Sequence, residues 1–192
     1  YRRRGFSNLL KMGHCAPTAM KTLLDVSSTD KEWLVRLSAG MPGGIGNTGH
    51  ECGAVTSPLA MMGTQHGLRE VDRGLPVLFD RGHGLCRDFL ACQGTLQCRE
   101  IRTKEGFPRQ CVGPVLRSAE LWRGALDDAR PDAIPESTRP AYSRLYSHFV
   151  ESEFHCAQAV LGRLGYSPTE HREVFDATSA FMGGMLFMGR TC

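Results

Sequence analysis

Residues 40–54 read GMPGGIGNTGHECGA, a glycine-rich turn that ends in a cysteine followed by helix-forming residues. This order predicts that Cys52 lies at the start of a helix. Free backbone N–H groups at a helix start favour a thiolate over a thiol. The stretch therefore predicts a nucleophilic or metal-binding thiolate at Cys52. The glycines of the turn that presents Cys52 are Gly43, Gly44, Gly46 and Gly49.

The C-terminal part of the chain repeats this construction. Gly183-Gly184 precedes Cys192 with the spacing that separates Gly43-Gly44 from Cys52, and a His-Cys-Ala word occurs at Cys15 and again at Cys156. We therefore predict a cysteine-bearing unit over residues 1–126, a proline-containing linker over 127–140, and a partial second copy over 141–192 that packs on the first.

Hydrophobic periodicity predicts an all-α fold, a helical bundle in which strand-like alternation is absent. The clearest apolar stripe runs from Tyr142 to Leu164 and includes Cys156, which we expect to face inward. Other helices are predicted over residues 6–23 with a kink around Gly13 and Pro17, 33–37, 53–65, 71–102 with a break near Gly82-His83-Gly84, 114–126 and 170–181.

Composition excludes several classes of protein. The chain has 192 residues, 41% hydrophobic and 22% charged, and a net charge of +3. Arg2-Arg3-Arg4 is its only basic run and has no interleaved aromatic residues, so nucleic-acid binding is not predicted. No window reaches the ~20 apolar residues of a membrane span. We expect a cytoplasmic protein, or an exported one if an upstream signal is missing from this sequence.

Eight cysteines in 192 residues fall below the roughly 8–10% of a disulfide-stapled scaffold. No C-x-x-C pair occurs, so spacing alone does not indicate a zinc or iron–sulfur site. On a continuous helix Cys86, Cys92 and Cys98 cannot share a face. We assign Cys98 to a site and expect Cys86 and Cys92 to pack as small hydrophobic residues. Cys111 precedes a predicted helix start, which favours its thiolate as at Cys52.

Five sequence words in this order resemble the C-GCAxxG-C-C family of redox-active proteins, over about residues 6–126. The words are Cys15-Ala16, Gly43-Gly44-Ile45-Gly46, Cys52-Gly53-Ala54, Cys98-Arg99-Glu100, and Cys111 followed by Arg117-Ser118-Ala119-Glu120-Leu121. The resemblance implies a small helical protein with redox-active thiols at Cys15, Cys52, Cys98 and Cys111. It also implies that these four cysteines hold a prosthetic group such as an iron–sulfur cluster or another metal ion, or act as thiols.

The chain departs from the family pattern at two positions and in the second copy. Ser57 stands where the family's CGAxxG word ends in glycine, and Pro17 replaces a helix-forming residue. The second copy has no counterparts of Cys98 and Cys111, so it does not supply four thiolates by itself. A homodimer that completes its site is one expectation.

Further metal ligands are predicted beside the four cysteines. Imidazole and thiolate groups complete mixed sites; the candidates are His14, His50, Cys156 and Cys192. A copper(I) site at Met182, Met185 and Met188 ranks below simple core packing of these side chains.

Three functional hypotheses remain open. The leading one is a redox-active or metal-binding protein, of oxidoreductase type if it is an enzyme, that works with a redox partner protein. The second is a non-catalytic helical interaction module with structural cysteines. The third is a nucleotide-dependent oxidoreductase, because Gly44-Ile45-Gly46-Asn47-Thr48-Gly49 matches G-x-G-x-x-G. That pattern requires a preceding strand.

Overall fold

A computed structural model describes residues 2–66, 75–104, 109–127, 156–186 and 188–190. Within these ranges the chain forms helices, and the only β-type pairing is an isolated bridge between Glu51 and Gln97. The predicted all-α fold is confirmed. The helices are α1 (Arg2–Met12), α2 (Cys15–Ser27), α3 (Trp33–Leu37), α4 (Gly53–His66), α5 (Leu75–Gln93), α6 (Cys98–Lys104), α7 (Arg109–Asp127), α8 (Cys156–Arg163) and α9 (Arg172–Thr178), with 3₁₀ turns at Ser38–Gly40 and Ser179–Phe181.

The chain divides into two compact units. Unit 1 combines Tyr1–Pro58 with Gly84–Asp128, and unit 2 combines Leu59–His83 with Ala129–Cys192. The predicted linker over 127–140 lies, beyond residue 127, outside the described residues, so the division at that linker stays a prediction. None of the described helices has the length and apolar character of a membrane span.

The core of unit 1 is built by α2 packed against α1 and α7. Gly5 of α1 lets the two outer helices approach closely, because a Cβ atom there would lie 2.9 Å from Leu116 Cδ2. Trp122 is fully buried, and its indole N–H donates to Ser27 Oγ over 2.9 Å. The buried side chains that α2 contributes are those of Cys15, Ala16, Thr18, Ala19, Met20, Thr22, Leu23 and Leu24.

The predicted interruption around Gly13 and Pro17 is confirmed. α1 ends at Met12 and α2 begins at Cys15, with Gly13 between them at φ +68°. Pro17 is the third residue of α2, where a missing N–H costs no intrahelical hydrogen bond. The break places Cys15 at a helix start.

The predicted break near Gly82-His83-Gly84 is wrong, because α5 runs unbroken from Leu75 to Gln93. Within unit 2, Gly82 lies directly against the Leu186 side chain, where a Cβ atom would collide with Leu186 Cδ1. The glycine therefore permits close packing rather than ending the helix. This packing offsets the loss of about 1 kcal/mol in stability that a glycine causes in a helix interior.

α7 begins earlier than predicted. It starts at Arg109 and contains Pro114 in its second turn. Cys111 is therefore the third residue of the helix rather than a residue that precedes it. Proline is tolerated there because the helix continues for three more turns of buried packing, including Val115, Ala119 and Trp122.

Unit 2 contains a correction at Cys156, which is exposed rather than inward-facing. Gln158 is the buried residue of α8, and its side-chain amide donates to the Phe175 carbonyl over 3.2 Å. Positions two apart on a helix lie about 200° apart, so burial of Gln158 turns Cys156 outward. The apolar residues Val160 and Leu164 are 59% and 69% exposed. The rest of the predicted stripe, over 142–155, lies outside the described residues.

The two glycine turns have the same pattern of backbone hydrogen bonds. The Gly49 N–H donates to the Gly43 carbonyl over 2.9 Å, and the Gly189 N–H donates to the Gly183 carbonyl over 3.3 Å. His50 and Arg190 donate in the same way to Gly44 and Gly184, over 3.2 and 2.8 Å. This shared pattern supports the predicted partial second copy, which stays a prediction.

Candidate functional site

Four cysteines of unit 1 lie at or beside helix starts. Cys15 is the first residue of α2 and Cys98 the first of α6. Cys52 immediately precedes α4, and its carbonyl accepts the N–H groups of Val55 and Thr56 over 2.8 and 3.1 Å. Cys111 lies in the first turn of α7.

Backbone hydrogen bonds bring the Cys52 and Cys98 segments side by side. The Cys52 N–H donates to the Leu96 carbonyl over 2.8 Å, and the Cys98 N–H donates to the His50 carbonyl over 2.7 Å. The Arg99 N–H reaches the Gly49 carbonyl over 3.0 Å. The end of the glycine turn is thereby paired with the start of α6.

A close approach of two helices places Cys52 next to Cys15. A Cβ atom on Gly53 would lie 2.5 Å from Ala16 Cβ and 3.0 Å from the Ala16 backbone nitrogen and Cα. The Ser57 hydroxyl donates to the Ala16 carbonyl over 3.0 Å. Serine at this departure from the family pattern thus adds a bond between α4 and α2.

The Cys15 sulfur is the centre of the site. Hydrogen bonding to the thiols of Cys111 and Cys52, Cys111 first, lowers the pKa of Cys15 well below its usual range, against the opposing effect of burial. The backbone N–H groups of Gly43 and Ala16 lower it further. Of these thiols, Cys15 is the one that the site favours as a thiolate.

The neighbouring thiols stay protonated. Donation to Cys15, burial and the Cys15 charge together raise the pKa of Cys52 and of Cys111. Burial, followed by the charge of Cys15, raises the pKa of Cys98, while Arg102 opposes part of the rise at Cys98 and Cys111. These pKa directions favour the thiolate at Cys15, and the expected thiolates at Cys52 and Cys111 stay predictions. Like charges in a buried site repel, so the first thiolate suppresses the others.

A pocket of about 430 Å³ opens onto these sulfurs. Cys15, Cys98 and Cys111 line it, whereas Cys52 does not. Cys15 and Cys98 are each 4% exposed, and Cys111 is half-buried. The remaining lining residues are Gly13, His14, Pro42, Gly43, Asn47, Arg102 and Gln110.

The other predicted site residues take different positions. His14 is exposed and lines the pocket, whereas His50 is exposed and joins the site through its backbone carbonyl. Among the predicted turn glycines, Gly43 lines the pocket and donates to Cys15, while Gly44, Gly46 and Gly49 adopt positive φ and shape the turn. Cys192 lies outside the described residues.

Two further cysteines lie on α5. Cys86 is buried as expected, but Cys92 is exposed, so its predicted packing role is wrong. The step of six positions from Cys86 to Cys92 turns the helix by about 600°, which places the two side chains on different faces.

The geometry does not match a ready-made metal site. Thiolates suit zinc and iron–sulfur clusters. However, among the described residues no group of three or more cysteine, histidine, aspartate or glutamate side chains is arranged to hold a metal ion. Cys15 instead forms a group with the thiols of Cys52 and Cys111, and Cys98 is close enough for the charge of Cys15 to raise its pKa.

The dinucleotide-type pattern at Gly44–Gly49 does not follow a strand. α3 and the 3₁₀ turn Ser38–Gly40 precede it. The structural condition for the nucleotide-dependent hypothesis is therefore not met.

Sequence reasoning missed three polar residues of the pocket. Arg102 Nη1 donates to Asn47 Oδ1 over 3.0 Å, and Gln110 lies beside Cys111. Arg102 follows Cys98 by four residues, a spacing that places two helical side chains on one face. That spacing is the signal from which Arg102 was predictable.

The sequence profile of a family described as "Putative redox-active protein (C_GCAxxG_C_C)" matches residues 13–124. An uncharacterised protein of Archaeoglobus fulgidus is 24% identical over 144 residues, which cover 67% of this chain and 95% of that protein. No solved structure matches the chain.

Proposed function

The chain belongs to the C_GCAxxG_C_C family of redox-active proteins, and from this premise we propose that it is a thiol–disulfide redox protein with Cys15 as its reacting thiolate. One observation carries the proposal: Cys15, Cys98 and Cys111 come from three separate helix starts and line one pocket, and the Cys111 and Cys52 thiols lower the pKa of Cys15. The thiolate is the nucleophile in disulfide exchange, and an adjacent thiol completes the reaction.

Cys111 is the better partner for the disulfide. It is half-buried and lines the pocket, whereas Cys52 is 3% exposed and does not line it. The Cys15 thiolate attacks a disulfide substrate and releases one thiolate. The Cys111 thiol then loses its proton and attacks Cys15 Sγ, which releases the second thiolate and leaves a Cys15–Cys111 disulfide. Two electrons pass from the two cysteines to the substrate.

Disulfide mapping after brief oxidation tests this proposal. Reduced protein is treated anaerobically with a small disulfide, quenched with an alkylating agent and mapped by mass spectrometry. We expect a Cys15–Cys111 bond, its complete loss in Cys15→Ser, and no change in the exposed-cysteine control Cys92→Ser. A wild-type protein that forms no disulfide, or a Cys15→Ser protein that oxidises as fast as wild type, would contradict the proposal.

Metal binding is a second candidate, because three cysteines line one pocket, although the described side chains are not arranged as a formed metal site. Iron, zinc and acid-labile sulfide are measured on anaerobically purified protein. A stoichiometric metal that is lost in both Cys15→Ser and Cys98→Ser would favour this candidate over thiol exchange.

The non-catalytic hypothesis instead predicts that Cys111→Ala costs only stability, with neither a redox nor a metal signal lost. A cytoplasmic location, a redox partner protein and a homodimer stay predictions; sedimentation tests the last.

A further inference from the structure

The pocket is the route by which a substrate reaches the Cys15 sulfur. Cys15 and Cys98 line the pocket and are each 4% exposed, and Cys111 lines it and is half-buried. Cys92 of α5, by contrast, is exposed and does not line the pocket. A disulfide must therefore enter the pocket before one of its sulfurs can touch Cys15.

The size of the pocket fits a small molecule. Its volume of about 430 Å³ lies near the lower end of the range of small-molecule sites, about 300–1,000 Å³. The part of a substrate that surrounds the reacting S–S bond has to fit into this space.

Hydrogen bonds hold one wall of the pocket together. The Cys98 N–H donates to the His50 carbonyl over 2.7 Å, and Arg102 Nη1 donates to Asn47 Oδ1 over 3.0 Å, so the glycine turn is joined to α6 at two places. The Asn47 side chain also covers Gly43, where a Cβ atom would collide with Asn47 Oδ1. A larger substrate would have to break these contacts to widen the pocket on this side.

The geometry of disulfide exchange makes this space decisive. The attacking sulfur approaches one sulfur of the substrate in line with the bond that breaks, so both substrate sulfurs must be aligned with Cys15. In a protein disulfide the two Cα atoms lie about 5.5–6 Å apart, and the main chain continues on both sides of each. A small organic disulfide has no such chains beside its sulfurs.

We propose that this pocket admits low-molecular-weight disulfides and excludes the disulfides of folded proteins, so that the substrate of Cys15 is a small organic disulfide R–S–S–R. The inference rests on the proposed function, because the disulfide that enters is the one that Cys15 attacks. The Cys15 thiolate, the Cys111 thiol and R–S–S–R yield the Cys15–Cys111 disulfide, one RS⁻ and one RSH. Two electrons pass from the two cysteines to the substrate, and protons and charge balance.

A comparison of two oxidants tests the inference. The reduced full chain is mixed anaerobically with bis(hydroxyethyl) disulfide or with insulin, and formation of the Cys15–Cys111 bond is followed by mass spectrometry. Each rate is divided by the rate at which dithiothreitol reduces the same oxidant, which corrects for the reactivity of the oxidant itself. We expect this ratio to be about 100-fold larger for the small disulfide, the loss that a misplacement of about 1 Å causes in an aligned reaction.

Cys92→Ser is the control variant for this comparison. It removes an exposed thiol that does not line the pocket, and its two ratios should equal those of wild type.

An alkylation experiment measures access to Cys15 without any redox step. Reduced protein is treated with N-ethylmaleimide or with a maleimide attached to a branched polyethylene glycol, so the reactive group is the same and only the size differs. We expect the small reagent to modify Cys15 and Cys92, and the large reagent to modify only Cys92 of the two. In urea both reagents should modify both cysteines.

The outcomes separate this inference from the proposed function. If insulin gives as large a ratio as the small disulfide, or if the large maleimide modifies folded Cys15 as fast as Cys92, the size limit is refuted while the thiol chemistry stands. The redox partner protein expected from the sequence would then be the better substrate class. If neither oxidant forms the Cys15–Cys111 bond, the proposed function fails and the inference fails with it.

Discussion

At the residue scale, Gly53 controls how closely two of the site's helices approach. Its missing side chain leaves room for Ala16 at the start of α2, and any Cβ atom there would lie 2.5 Å from Ala16 Cβ. The backbone atoms of Ala16 are also within 3.0 Å, so neither helix can yield by a side-chain rotation alone. The contact between the Cys52 thiol and the Cys15 sulfur depends on this approach.

Gly53→Ala should therefore separate the two sulfurs and raise the pKa of Cys15. We expect a loss of about 1–3 kcal/mol in the free energy of unfolding, as for other overpacked positions. The ultraviolet absorption of the thiolate should titrate at higher pH than in wild type. Gly124→Ala is the matched control, because Gly124 also lies in a helix but has open space around it. That variant should be neutral or more stable by up to about 1 kcal/mol. Equal behaviour of the two variants would refute the role given to Gly53.

Sequence patterns predict much of the site at this scale and fail at one point. The helix starts at Cys15 and Cys52 follow from Gly13, Pro17 and the glycine turn. Which cysteine ionises does not follow, because the local surroundings of Cys52 and Cys111 both favour a thiolate. Ionisation is favoured at Cys15, because tertiary packing brings the thiols of Cys111 and Cys52 close to it and they lower its pKa.

At the element scale, the glycine turn positions an N–H group on Cys15 and pairs with the start of α6. Gly44 has φ +79°, and a Cβ atom there would collide with the His50 backbone. The turn is thus closed over itself, and its shape fixes where the Gly43 N–H points.

Gly44→Ala should open the turn and disturb both of these functions. A left-handed conformation and a backbone collision together should cost about 2 kcal/mol or more. The experiment measures chemical denaturation and the alkylation rate of Cys15. Gly40→Ala is the control at the other end of the turn, because Gly40 has open space and no positive φ. A Gly44→Ala protein as stable as Gly40→Ala would contradict this account of the turn.

Element boundaries were less predictable than the elements themselves. α4 and α3 follow their sequence signals closely. α5 does not, because Gly82 is typical of a helix break in the sequence, whereas in the structure it packs against Leu186 and the helix continues. α7 starts before Pro114, because the preceding turn is stabilised by tertiary context that no local pattern contains.

At the scale of the whole molecule, the thiols make stability depend on pH in two directions. The pKa of Cys15 is lowered in the folded state. Ionisation of Cys15 therefore adds nothing to the free energy of unfolding below that pKa. Its contribution grows as the pH rises and is complete above the pKa of the unfolded thiol, about 8.5. The pKa values of Cys52, Cys98 and Cys111 are raised, so folding keeps them protonated and stability falls once the unfolded thiols ionise.

Comparison of wild type with Cys15→Ser under reducing conditions isolates this effect. Between about pH 5 and pH 8 the free energy of unfolding of wild type should gain up to about 1.4 kcal/mol per pH unit relative to the variant. Above about pH 9 both proteins should lose stability. Urea denaturation at a series of pH values measures the difference. A difference that is constant with pH would show that Cys15 is not ionised in the folded protein.

Cys52 does not line the pocket, yet its thiol acts on the same Cys15 sulfur as the thiol of Cys111. An oxidised Cys15–Cys111 pair can therefore rearrange into a Cys15–Cys52 pair by attack of the Cys52 sulfur on Cys15, which returns Cys111 to its thiol form. The disulfide would then join two cysteines that are 4% and 3% exposed, while the half-buried Cys111 was again reduced. Such a transfer would move the bond from a partly exposed pair of cysteines to a buried pair.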